Sequence, residues 1–86
     1  MEFRLSDHVK EEMERRAISL PLLESVLEHP QQILEARGLK KVYQSKIDFG
    51  EGKIFLIRAI VDDTIIPATV VTVYRTSKIA KYWRTG

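Results

Sequence analysis

The sequence of 86 residues contains no cysteine and only two histidines. A chain without cysteine forms neither a disulfide framework nor a thiolate zinc site. His8 and His29 are too few to build a metal centre without carboxylate ligands. The sequence therefore predicts no metal site and no cofactor.

Long apolar runs are also missing. The longest uncharged run, residues 64–74, is too short and too interrupted to cross a bilayer. No apolar run follows the first seven residues, so they do not have the pattern of a signal peptide. Glycine-rich nucleotide loops, metal-hydrolase motifs and the nucleophile elbow are absent as well. These absences predict a cytoplasmic protein without membrane contact.

The composition is that of a globular domain, with 44% hydrophobic and 30% charged residues. The length leaves room for one domain, residues 1–86, with one core. Net charge is only +2, but residues 1–36 carry −4 and residues 37–86 carry +6. This asymmetry is typical of a surface that faces a polyanion, and also of a solvated surface with uneven charge.

Two helices are predicted in the first third of the chain. Ser6 or Asp7 can cap the first, which runs to about Arg16, and its charged residues form i,i+4 pairs such as Glu12–Arg16. Ser19 can cap the second, Pro21 sits in its first turn, and the sequence His29-Pro30 ends it.

After Pro30 the pattern changes to strands, predicted at 33–36, 42–49, 53–61 and 69–75, with residues 3–5 as a short edge strand or extended lead-in. In the second of these, Tyr43, Ser45 and Ile47 alternate with Gln44 and Lys46, which indicates one buried face. The fold class predicted is α+β, with two N-terminal helices packed on a three- to four-stranded, mainly antiparallel sheet.

The last part of the chain mixes basic and aromatic side chains. Residues 74–84 hold four basic residues, no acidic ones and three aromatic ones. Lys78, Lys81 and Arg84 can neutralise phosphates, while Tyr74 and Tyr82 can stack on unpaired bases. The alternative is that the terminal aromatic residues complete a small core.

Two further residues are candidates for a site. His8 lies one turn before Glu12 on the first helix, and histidine transfers protons near neutral pH, although a surface histidine there needs no function. Arg58 places a charge in an otherwise apolar strand, which is costly unless the charge is paired or faces a cleft. Its alternative is an arginine that reaches water or pairs with a carboxylate.

Several short motifs carry a resemblance to a known group. Ser6-x-His8, Arg16-x-Ile18-Ser19, Glu28-His29-Pro30 and the closing Val73-Tyr74-Arg75-Thr76 resemble a group of short prokaryotic proteins placed with the RelE/ParE-like toxins. One position departs from that group, because Ala17 stands where glycine is common.

The resemblance implies a RelE-like fold and a metal-independent endoribonuclease. Such a toxin would act on RNA, including mRNA on the ribosome, and a cognate antitoxin would block it. By this resemblance His8, Tyr74, Arg75 and Tyr82 are candidate catalytic residues, and Arg58, Lys78, Lys81 and Arg84 are candidate RNA-binding residues. Arg58 is expected to open into the same cleft as Arg75 and Lys78.

Two alternatives to an RNA-cleaving toxin stay open. One is a non-catalytic RNA- or protein-binding module on the same fold. The other is a toxin that acts on a protein target such as a topoisomerase, as the ParE branch of the group implies.

Overall fold

Residues 2–85, the part of the chain that the computed structural model describes, form five strands and three helices. In chain order they are β1 (Phe3–Leu5), α1 (Asp7–Arg15), α2 (Leu20–Glu28), β2 (Gln32–Glu35), β3 (Lys41–Asp48), β4 (Ile54–Asp62), β5 (Ala68–Thr76) and α3 (Ile79–Tyr82), with a short 3₁₀ turn at Arg37–Leu39. No helix in this range is long and apolar enough to cross a membrane.

The five strands form one mixed sheet in the order β1-β5-β4-β3-β2. β1 runs parallel to β5, and the other neighbours are antiparallel. The α+β class is confirmed, but the predicted sheet of three or four strands has too few strands. Of the two alternatives for residues 3–5, an edge strand or an extended lead-in, the structure shows the edge strand. Its three residues pair with Ala68, Thr69 and Val70, which follow about sixty residues later, so no local pattern announces the pairing.

Side-chain caps fix where the first two helices begin. The Ser6 hydroxyl accepts from the Val9 amide at 3.1 Å, and the Ser19 hydroxyl accepts from the Leu22 amide at 3.3 Å. Both bonds satisfy an amide that the first turn of a helix leaves without a partner.

The end of α1 shows why glycine is common at the position where this chain has Ala17. The Ile18 amide donates to the Met13 carbonyl at 2.8 Å, and the Ala17 amide donates to the Glu14 carbonyl at 3.3 Å. These two bonds form a Schellman motif, which needs a left-handed residue after the helix. Ala17 occupies that position at φ +54°, a conformation in which glycine avoids the steric cost of a Cβ atom.

The core lies between the helices and one face of the sheet, which we call the helix face. α1 packs on β5, and α2 packs on β3 and β4. The sheet contributes buried side chains from its three central strands, and the helices contribute Val9, Met13, Leu23, Val26 and Leu27. On β4 the core positions are Ile57, Ala59 and Val61, all with no exposed surface.

Glu12 on α1 and Arg16, the residue that follows this helix, close the edge of β5 beyond the end of β1. The Glu12 carboxylate accepts from the Val73 amide at 3.2 Å and from the Thr72 hydroxyl at 2.8 Å. The Arg16 guanidinium donates to the Val73 carbonyl at 2.8 Å and to the Glu12 carboxylate at 2.9 Å. The sequence indicates only a helical ion pair here, whereas the two side chains satisfy the backbone groups that a neighbouring strand would otherwise pair.

Glu12 should make folding sensitive to acid. Its burial alone raises the pKa, but the bonds from Thr72 and Val73 and the charges of His8 and Arg16 outweigh burial, so the pKa of Glu12 lies below its usual value. A lowered folded-state pKa adds stability above the unfolded-state pKa, and this stability is lost as the pH falls through the folded-state value.

We therefore expect Glu12→Gln to lower the free energy of unfolding by about 2 kcal/mol at neutral pH, and the deficit to shrink as the pH falls. Urea denaturation at a series of pH values measures both effects, with the exposed Glu11→Gln as the control. A deficit that stays constant down to acid pH would show that the carboxylate charge is not what stabilises this edge.

Candidate functional site

Arg58 lies on the sheet face opposite the helices, which we call the distal face. Side chains alternate between faces along a strand, and directly opposed residues on antiparallel neighbours share a face. The neighbours of Arg58 on β4, Ile57 and Ala59, belong to the core on the helix face. Arg58 is opposed by Gln44 on β3 and by Tyr74 on β5, so all three point to the distal face.

Four polar side chains form a continuous row across the distal face. Gln32 on β2 opposes Gln44, which extends the row over four strands to Gln32–Gln44–Arg58–Tyr74. The Gln44 amide donates to Gln32 Oε1 at 2.7 Å, Arg58 Nε donates to Gln44 Oε1 at 2.9 Å, and Arg58 Nη1 donates to the Tyr74 hydroxyl. We call these four residues the polar row.

The C-terminal segment, residues 77–85, lies on the distal face and stacks on its cations. The Arg58 guanidinium carbon is 4.1 Å from the centre of the Tyr82 ring, and Lys46 Nζ is 4.0 Å from the centre of the Trp83 ring. The Tyr82 and Tyr74 rings meet edge to face at 6.4 Å. The sequence leaves two alternatives open for these aromatic residues, stacking on bases or completion of the core. The structure shows them half-buried on the sheet and stacked on its cations.

The cations of this face have no carboxylate partner among residues 2–85. The three ion pairs in that range join Glu12 to His8, Glu12 to Arg16, and Lys41 to Asp63. Arg58 is half-buried, and its hydrogen-bond partners within the row are neutral. A guanidinium that is partly removed from water and not neutralised favours binding of an external anion.

Tyr82 has an acidified phenol. Hydrogen bonding to Lys81 and the charge of Lys81 lower the pKa of Tyr82. Burial opposes them, and the weaker effects of Tyr74 and the Arg58 charge also lower the pKa. A lowered pKa raises the fraction of phenolate, the form of tyrosine that can accept a proton. The candidate catalytic residues Tyr74 and Tyr82 thus lie together beside Arg58.

Arg75 does not share this site, and the prediction that it would is wrong. Arg75 opposes Ile57 and so points to the helix face. Its guanidinium carbon lies 4.7 Å from the centre of the Phe49 ring and 5.0 Å from the centre of the Phe55 ring. Successive residues of a strand point to opposite faces, which separates Arg75 from its neighbour Tyr74.

His8 is likewise not brought to the polar row. Its side chain is 64% exposed on α1, the helix that packs on the helix face, and its Nε2 lies 3.5 Å from Glu12 Oε1. The carboxylate that was expected to orient His8 is occupied by Thr72, Val73 and Arg16. The catalytic role of His8 stays a prediction, but the structure assigns Glu12 a role in the sheet edge.

The other basic candidates belong to the C-terminal segment. Lys78 precedes α3, Lys81 lies within it and Arg84 follows it, and all three are exposed. The sequence analysis missed Gln32, Gln44 and Lys46 as parts of the site. Gln44 has no exposed surface although its strand pattern indicates a solvent-facing position, because the C-terminal segment covers it.

Within residues 2–85, no three His, Asp or Glu side chains are grouped so that they could hold a metal ion. The arrangement therefore offers cations, phenols and aromatic rings as its chemical groups. Such a set can bind phosphates through charge and bases through stacking.

The sequence matches the model of a known protein family. The model of a family described as Domain of unknown function (DUF4258) matches residues 5–75. The chain belongs to this family. The matched residues include the polar row, whereas α3 and Trp83 follow the match. No curated protein and no solved structure matches the chain.

The acidified phenol can be tested by titration. Among the three tyrosines of the chain, we expect one to ionise below the usual range and to disappear in Tyr82→Phe. Lys81→Met should raise its pKa, because Lys81 is the main cause of the shift, whereas the exposed Lys78→Met serves as the control. Phenolate absorbance measures this, and a low titration that persists in Tyr82→Phe would assign it to another residue.

Proposed function

We propose that the chain is a RelE-like toxin of a toxin–antitoxin pair, which binds single-stranded RNA on the distal face and cleaves it without a metal ion. The proposal rests above all on one observation. Arg58 is a half-buried cation with neutral partners, under the ring of Tyr82 and beside Tyr74.

The electrostatics of the face support a polyanionic ligand. Arg58 and Lys46 emerge from the sheet, and exposed Lys81 and Arg84 stand on the C-terminal segment. Binding of a phosphate chain to such cations releases counterions, which makes affinity depend strongly on salt. By strand alternation Asp48 and Asp62 also point to the distal face. They lie at the ends of β3 and β4, however, and not beside Arg58.

The aromatic residues favour single-stranded over double-stranded nucleic acid. Tyr74, Tyr82 and Trp83 are half-buried, so part of each side chain remains available at the surface. Unpaired bases stack on such rings regardless of their identity, whereas the bases of a duplex already stack on each other.

The same groups can supply the chemistry of RNA cleavage. The ribose 2′-hydroxyl attacks the adjacent phosphorus and its proton passes to the Tyr82 phenolate. The bond from phosphorus to the 5′-oxygen breaks as that oxygen gains a proton from the Tyr74 hydroxyl, and proton exchange with water then restores both phenols. Arg58 stabilises the negative charge that develops on the phosphate. The products are a 2′,3′-cyclic phosphate and a 5′-hydroxyl, so no oxidant, reductant or metal enters the reaction.

A second candidate is a non-catalytic RNA-binding module with the same surface. The separation of His8 from Arg58 favours it, because histidine is the side chain whose ordinary pKa suits proton transfer near neutral pH. The groups that lie beside Arg58 are instead the phenols of Tyr74 and Tyr82. The two candidates share the binding site and differ in whether Tyr82 transfers a proton.

The binding site is tested by an arginine on each face of the sheet. Arg58→Gln should weaken binding of fluorescent oligouridine about tenfold and reduce the log–log salt slope by about one. Arg75→Gln removes the same charge from the helix face and should leave affinity within about twofold. Fluorescence anisotropy over a salt series measures both.

Equal losses in the two arginine variants would mean that only net charge matters. A wild-type salt slope near zero, or no binding at low salt, would contradict the proposal that the distal face binds RNA.

Cleavage is tested in a translation extract and by expression without the antitoxin. Tyr82→Phe should slow cleavage by at least about a hundredfold, as expected for loss of a proton-transfer group, and should relieve growth arrest. His8→Ala tests the alternative assignment on the other side of the sheet, and this variant keeps its activity if Tyr82 is the group that transfers the proton.

Loss of cleavage in His8→Ala with full activity in Tyr82→Phe would return the proton chemistry to α1. Cleavage that EDTA stops would contradict the metal-free mechanism. A wild-type protein that binds RNA but neither cleaves it nor arrests growth is the non-catalytic module.

A further inference from the structure

Two glutamines of the polar row attach the C-terminal segment to the sheet. The Gln32 side chain donates to the Arg84 carbonyl at 2.5 Å and accepts from the Arg84 amide at 3.1 Å. The Gln44 side chain donates to the Tyr82 carbonyl at 3.2 Å. Gln32 thus pairs with both backbone groups of one residue, as a neighbouring strand would.

The orientation of the Gln44 amide is determined by Arg58. A guanidinium only donates hydrogen bonds, so the oxygen of Gln44 must face Arg58 Nε. Its nitrogen then points to Gln32 Oε1 and to the Tyr82 carbonyl. Because Gln44 has no exposed surface, water cannot replace these partners. One buried amide therefore connects the candidate anion-binding cation to the segment that carries Tyr82.

The C-terminal segment has few other means of holding its position. α3 is four residues long, contains no fully buried residue and has no side-chain cap. Helices of this length are not stable by themselves. Its other contacts with the sheet include the stacks of Tyr82 on Arg58 and Trp83 on Lys46, and the edge-to-face contact of Tyr82 with Tyr74.

We infer that Gln32 and Gln44 are positioning residues, which clasp residues 82–84 and thereby hold Tyr82 over Arg58. The contribution of this clasp to RNA binding and cleavage rests on the function proposed above, whereas the clasp itself does not. The site is complete only when the C-terminal segment is docked.

The opposing model is that the C-terminal segment must undock before RNA can bind. Gln44 argues against it, because its side-chain nitrogen donates to the Tyr82 carbonyl at a position with no exposed surface. Undocking would take this partner away from a buried amide, which is unfavourable. The docked segment is therefore part of the working site.

Trp83 is the one tryptophan of the sequence and reports on docking directly. Gln32→Ala should increase the acrylamide quenching constant of Trp83 about twofold or more, since it removes both bonds to Arg84. Gln31→Ala is the matched control, because the Gln31 side chain bonds the backbone of Lys46 and not the C-terminal segment. Gln32→Glu keeps the acceptor for the Arg84 amide and should give an intermediate quenching constant. Circular dichroism checks that each variant is folded.

Oligouridine affinity is the second measurement on the same proteins. Gln32→Ala should lose about fivefold in affinity, as expected when about 1 kcal/mol of positioning is removed, and Gln31→Ala should not. Unchanged Trp83 quenching in Gln32→Ala overturns the clasp. Increased quenching with unchanged affinity overturns the positioning role. A wild-type protein that binds no RNA refutes the proposed function instead, and the quenching series then decides the clasp alone.

Discussion

The positive charge of Arg58 lies in the middle of a small sheet, and the surrounding side chains are arranged around it. Arg58 Nε donates to the Gln44 side chain on one side, and Arg58 Nη1 donates to the Tyr74 hydroxyl on the other. The Tyr82 ring lies 4.1 Å above it. These neutral partners compensate part of the cost of removing a guanidinium from water but leave its charge unneutralised. The distal face therefore combines a stable local structure with a positive charge that no carboxylate neutralises, and the proposal of RNA binding rests on this charge.

Glu12 provides the contrast within the same molecule. It is also a charged group at the sheet, but Arg16 pairs with it and β5 donates two further hydrogen bonds. A buried charge whose interactions are all internal contributes to folding and leaves nothing for a ligand. Arg58 has hydrogen bonds without a counter-charge, and this difference separates a structural ionic group from a candidate binding group.

The sequence indicated parts of this arrangement because they depend on local chemistry. Ser6 and Ser19 were readable as caps, and Arg58 stood out as a charge within an apolar strand. The sequence left residues 3–5 open between an edge strand and an extended lead-in, since the partner strand β5 is distant in sequence. The face of Arg75 depends on how β5 aligns with β4, which a bulge between Ile60 and Val61 shifts. Gln44 looked solvent-facing because nothing local shows that residues 77–85 fold back over it.

The central claim is that one face of the sheet, with the C-terminal segment, binds RNA. Nuclear magnetic resonance tests it most directly, by following backbone amides and the Arg58 Nε–H group while oligouridine is added. If this face binds RNA, the Arg58 resonance and those of Gln44, Tyr74 and residues 77–85 shift together, while those of α1 and α2 stay in place. Shifts confined to the two helices, with the Arg58 resonance unchanged, would contradict it.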